Sequence, residues 1–90
     1  MKISSIYYHP QFRKAFLRLP KDIQKKAKER TRIFRENPFH SSLDTHKLHG
    51  KLKERWSFCV KGQYRILFVF DNTDVIFLDI GPHDIYKKFP

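Results

Sequence analysis

Ninety residues, 40% hydrophobic and 16% aromatic, can bury a real core in one domain spanning 1–90, and nine phenylalanines with only three glycines argue against disorder. Nineteen Lys and Arg against nine Asp and Glu give a formal net charge of +10, a self-repulsion that points to a polyanionic partner: nucleic acid, an acidic protein segment, or both. No stretch approaches the roughly 20 apolar residues of a membrane span, the opening MKISSIYYHP lacks the apolar block of a signal peptide, and the lone Cys59 excludes an internal disulfide, so a soluble, cytoplasmic protein is expected.

Ile3 to Tyr8 is rich in β-branched and aromatic residues and predicts a first strand, ended by His9-Pro10. Pro10 suits the first turn of a helix. Phe12, Ala15, Phe16 and Leu19 then fall at i, i+3, i+4 and i+7, one helical face. Pro20 separates this helix from a second, expected from about Lys21 to Glu36. Its buried stripe is Ile23, Ala27 and Phe34, with Arg30 on the same side and its head expected in water. Asn37-Pro38 stops it. So short a connection predicts an antiparallel helical hairpin.

Residues 39–50 read as a polar, irregular loop of a length that often carries function. Three strands follow, Trp56–Val60, Tyr64–Asp71 and Val75–Ile80, joined by Lys61-Gly62-Gln63 and Asn72-Thr73-Asp74. Connections this short force antiparallel neighbours. A brief turn or helix is expected near Asp84–Lys88. The fold class is therefore α+β, in the order β-α-α-β-β-β, with the hairpin packed on a mainly antiparallel four-stranded sheet.

Several residues stand out against that frame. Arg65 alternates with Tyr64 and Ile66, so it shares a face with Leu67 and Val69. An arginine there is a site residue or half of a buried ion pair, and Asp79 is the one obvious partner. His83 follows the rigid Gly81-Pro82 and, on its own, reads as a loop histidine. Asp44, His46 and His49 have a loose metal-ligand spacing with no evident fourth ligand, so no metal is assigned. His9 and His40 read as surface or capping residues, and Cys59 as a small apolar strand residue. The second helix carries seven cations against three acids, which marks Lys25, Lys28 and Arg32 for RNA contact.

The element order, together with HKLHG (46–50), RWSFCVKGQYRILFVF (55–70) and VIFLDIGPHDIYK (75–87), resembles the RelE/ParE superfamily of type II toxins over essentially the whole chain. Within it the chain looks more similar to the ribosome-dependent mRNA interferases of the RelE, YoeB and YafQ types than to the gyrase-poisoning ParE branch. The resemblance implies that Arg65, nine positions after Trp56, helps hold a scissile phosphate. It implies a catalytic role for His83, and one for His46 from the H-x-L-x-G pattern of the YafQ type. Tyr86 resembles the C-terminal aromatic region of RelE-like members. One position departs: where several relatives carry a second arginine on the last strand, four residues before the terminal histidine, this chain has Asp79. Lys47, Lys51, Lys53 or Arg55 would then have to supply the missing cation.

The implied chemistry needs no cofactor. A 2′-OH attacks the adjacent phosphorus in line, which calls for a base, an acid for the departing 5′ oxygen, and cations for the phosphoryl charge. Histidine suits the proton transfers and arginine the charge. That assigns His83 as acid, His46 as base and Arg65 as clamp, with Tyr86 or Phe89 available to stack on a base. The expected partners are an acidic, partly disordered cognate antitoxin, the ribosome and mRNA. The oligomeric state stays open, a free monomer included. Two other functions fit the same fold: a gyrase poison, or an RNA- or protein-binding relative without catalysis, for which Asp79 is the supporting clue.

Overall fold

A computed structural model describes residues 1–49, 54–82 and 85. The elements are β1 (Ile6–Tyr8), α1 (Pro10–Arg18), α2 (Lys21–Glu36), a 3₁₀ turn (Ser41–Leu43), β2 (His46–Lys47), β3 (Trp56–Lys61), β4 (Tyr64–Asp71) and β5 (Asp74–Gly81). Pro10 opens α1, and the preceding His9 caps it, its Nδ1 accepting from the Gln11 N–H at 3.0 Å. In α2, Asp22 in the first turn and Arg35 in the last complement the helix dipole, and Asn37 ends the helix before Pro38. Ile23, Ala27 and Phe34 are its buried residues, as the periodicity predicts.

The sheet order is β1-β5-β4-β3-β2. The two tight hairpins make β3, β4 and β5 antiparallel, while β1 pairs in parallel with β5. Gly62 and Asn72 open the hairpin turns with φ of 56° and 58°, where glycine and asparagine are the residues most at ease. The four expected strands are all present. A fifth, β2, adds to the edge of β3 within the segment expected to be irregular: two residues are too few to leave a periodic signal. β1 is also shorter than its composition suggests. Ile3 N–H donates to Arg35 O and Ser4 N–H to Thr73 O, both at 2.9 Å, so these residues tie the strand to the helix end and a turn.

The hairpin covers one face of the sheet. Phe34 is fully buried there, its ring 4.8 Å from Phe58, 4.9 Å from Phe68 and 5.6 Å from Phe77. Arg30 is half-buried, and its head also meets the protein. Its guanidinium donates to Val60 O and Ser42 O, each at 3.4 Å, so it ties α2 both to β3 and to the 3₁₀ turn. The opposite face carries a second, smaller apolar cluster of Leu48, Leu67 and Ile85, with Leu78 packed against it. No helix among the described residues is long and apolar enough to cross a membrane.

Candidate active site

Cross-strand partners in an antiparallel sheet share a face, so the register sorts the candidates. His46, Ser57, Leu67 and Asp79 form one row across β2, β3, β4 and β5, and Cys59, Arg65 and Gly81 form the next. Both rows lie on the face away from the hairpin, with the Leu48–Leu67–Ile85 cluster. A register shift beside Leu67 and Phe68 leaves Leu78 without a partner on β4 and keeps Asp79 opposite Leu67. Asp79 is fully buried, and its Oδ1 accepts from the Ile80 N–H at 2.8 Å.

Arg65 is held in a half-closed setting, its side chain 17% exposed. Nη2 lies 3.6 Å from Asp44 Oδ2, and Nη1 is buried with no hydrogen-bond partner among the described residues. Arg65 thus pairs with Asp44 from outside the central strands, while Asp79, the partner that sequence spacing offers, stands opposite Leu67, one row away on the same face. A guanidinium held by a long contact to a solvent-facing carboxylate is suited to exchanging that contact for another oxyanion.

His46 is exposed on the same face, and its Nδ1 lies 3.1 Å from the backbone oxygen of Asp44. A carbonyl oxygen only accepts, so Nδ1 carries the proton in this bond. Neutral His46 then presents Nε2 as its lone-pair nitrogen, the form a general base needs.

The segment before His46 is built rather than loose. Leu43 is fully buried, Thr45 Oγ1 donates to Pro38 O at 2.6 Å, and His40 Nδ1 accepts from Ser42 N–H at 3.1 Å. These contacts fix the 3₁₀ turn that delivers Asp44 and His46. No local pattern announces this arrangement, because each bond joins polar groups without periodicity.

No protein-family model matches the sequence, and no curated protein sequence matches it either. Solved structures do match. A YoeB/ParE toxin from Agrobacterium tumefaciens superposes with a TM-score of 0.77 at 13% identity, covering 89% of this chain and 99% of that one. The RelBE2 toxin–antitoxin complex of Mycobacterium tuberculosis gives 0.77 at 21%, covering 91% and 93%. The RelB–RelE antitoxin–toxin complex of Methanococcus jannaschii gives 0.73 at 23%, covering 93% and 99%. The chain has the RelE-type fold.

On this RelE-type sheet the remaining candidates separate. Lys47 pairs with Trp56, which packs against the hairpin-side core, so Lys47 stands on the other face from His46. Arg55 is half-buried just before β3, its carbonyl accepting from Leu48 N–H at 2.9 Å. Lys25, Lys28 and Arg32 are exposed on α2, across the sheet from Arg65. Lys28 and Arg32, with Arg13 and Arg35, line a groove of about 490 Å³ between the helices, alongside Phe12, Phe16 and Ala27. His83, Lys51, Lys53, Tyr86 and Phe89 lie outside the described residues, as does most of the expected terminal turn. Among the described residues, no three His, Cys, Asp or Glu side chains gather as a metal would need.

Gly81 has a specific reason to be glycine. A Cβ there would lie 2.7 Å from Ile85 Cγ2, and Ile85 is buried against the sheet, its N–H donating to Pro82 O at 3.0 Å. Gly81→Ala is expected to push Ile85 off the Arg65 face and to cost about 1–3 kcal/mol of stability. A thermal melt together with the Ile85 methyl resonances would check both effects.

Proposed function

We propose that this protein is the toxin of a type II toxin–antitoxin pair and cleaves mRNA on the ribosome. The observation that carries the reading is the half-buried Arg65 guanidinium, its Nη2 3.6 Å from the exposed Asp44 carboxylate, on the same sheet face as His46. The fold shared with RelE-type toxins supports it.

In this reading Nε2 of His46 takes the 2′-OH proton as the 2′ oxygen attacks the adjacent phosphorus. The P–O2′ bond forms as the P–O5′ bond breaks, and His83 protonates the leaving 5′ oxygen. Arg65 donates to the phosphoryl oxygens as their charge grows. The products are a 2′,3′-cyclic phosphate and a 5′-hydroxyl end. The ribosome supplies the substrate orientation that so small a protein does not build for itself.

The cognate antitoxin is acidic and folds on binding. The inter-helix groove suits it, with apolar Phe12 and Phe16 flanked by Arg13, Lys28, Arg32 and Arg35. A short gene for an acidic protein abutting this one is expected.

The test is to add the purified protein to a bacterial translation extract and map mRNA 5′ ends, comparing wild type with Arg65→Ala and His83→Ala. New ends within translated regions, lost in both variants, support the reading. Intact mRNA with well-folded wild-type protein would sink it and favour a gyrase poison or a binding protein on the same fold.

A further inference from the structure

We infer that Asp44 is the positioning residue of this site, holding the base through its backbone and the phosphate clamp through its side chain. The kinetic half of this inference rests on the nuclease reading above; the structural half does not.

Asp44 closes the 3₁₀ turn in the left-handed conformation, φ 48° and ψ 48°, with its N–H 3.4 Å from Ser41 O. That conformation accompanies two contacts. The main-chain oxygen lies 3.1 Å from Nδ1 of His46, two residues on, and Oδ2 lies 3.6 Å from Arg65 Nη2. Aspartate and asparagine tolerate left-handed backbone, whereas a β-branched residue does not.

The two contacts do different things. The carbonyl fixes which imidazole nitrogen carries the proton, and so which one is left to act as base. The carboxylate contact is longer than a hydrogen bond and Asp44 is 72% exposed, so it tethers the guanidinium electrostatically. An arriving phosphate can replace it with shorter, charge-assisted bonds. The buried Leu43 and the bond from Thr45 to Pro38 anchor the residues on either side, so a change at position 44 reaches both His46 and Arg65.

The variants Asp44→Asn and Asp44→Val separate the two roles in the full chain. NMR of nitrogen-labelled histidine reads the tautomer of neutral His46. The Nδ1–H form should dominate in wild type and in Asp44→Asn, and should give way to Nε2–H in Asp44→Val. Amide spectra establish that each variant is folded, and Asp44→Ala, with a milder left-handed penalty, replaces valine if it is not. In the translation extract, Asp44→Asn should lower kcat about tenfold through a misplaced clamp, with KM unchanged or lower because an anion beside the phosphate is gone.

A wild-type His46 mainly in the Nε2–H form, or the same tautomer in the folded valine or alanine variant, overturns the link to the base. Full turnover by Asp44→Asn overturns the link to the clamp. If the wild type shows the Nδ1–H signature yet cuts no mRNA, the nuclease reading and the kinetic half fall together, while the link to His46 stands on the spectrum.

Discussion

Arg65→Met is expected to lower mRNA cleavage by about 10²–10³-fold while leaving the melting temperature unchanged or raised. The loss follows from the role of a preorganised cation on a developing oxyanion, where one donor commonly accounts for that factor. The stability result follows from the setting. Arg65 is mostly enclosed, its contact to Asp44 is longer than a hydrogen bond, and Nη1 is buried without a partner among the described residues. A buried unsatisfied donor costs about 1–3 kcal/mol, and replacing a buried ion by an apolar side chain of similar volume is often neutral or stabilising. Methionine also suits its neighbours on this face, Leu67 and Cys59. Thermal melts and mapped mRNA ends on the same preparation decide the matter. A large drop in melting temperature would show that Arg65 holds the fold together and would remove the argument that it is kept for chemistry.

Phe34→Ala should have the largest effect on stability, about 3–5 kcal/mol. Phe34 is fully buried on α2 and stacks on Phe58 while meeting Phe68 and Phe77 edge-on, so one ring joins the hairpin to β3, β4 and β5. The surrounding aromatics cannot collapse into the space without leaving favourable ring geometry. For a chain of this length each kcal/mol moves the melting temperature by roughly 4–8 °C, so a fall of at least about 12 °C is expected. Phe39→Ala is the control. Phe39 is 48% exposed, with its ring on Trp56 and Phe70, and its loss should cost much less. Equal losses at the two positions would mean that the core is not centred on Phe34.

The cores of both helices were legible because burial repeats with the helix. Phe12, Ile23, Ala27 and Phe34 sit where spacing places them. Strand alternation likewise put Arg65 on the face away from Tyr64 and Ile66, and the register agrees. The surroundings of Arg65 were harder to read. Asp79 is close in the expected topology yet stands one row off, opposite Leu67, while Asp44 reaches Arg65 from a turn beyond β3. Lys47 and His46 are adjacent in sequence and therefore on opposite faces, a separation that became visible once the two residues proved to be a strand.

The order of elements, the helical hairpin, the mainly antiparallel sheet and the strongly basic charge are all readable before the chain folds. Each of these comes from local signals: periodicity, proline and glycine punctuation, and composition. Closure of the chain in three dimensions sets Arg65 beside Asp44, Nδ1 of His46 against the Asp44 carbonyl, and the cations of α2 across the sheet from both. Those facts depend on strand register, a bulge and a two-residue edge strand, which bring together groups far apart in the chain. Non-local pairings leave no repeat in the sequence, so they are readable only once the chain has closed on itself.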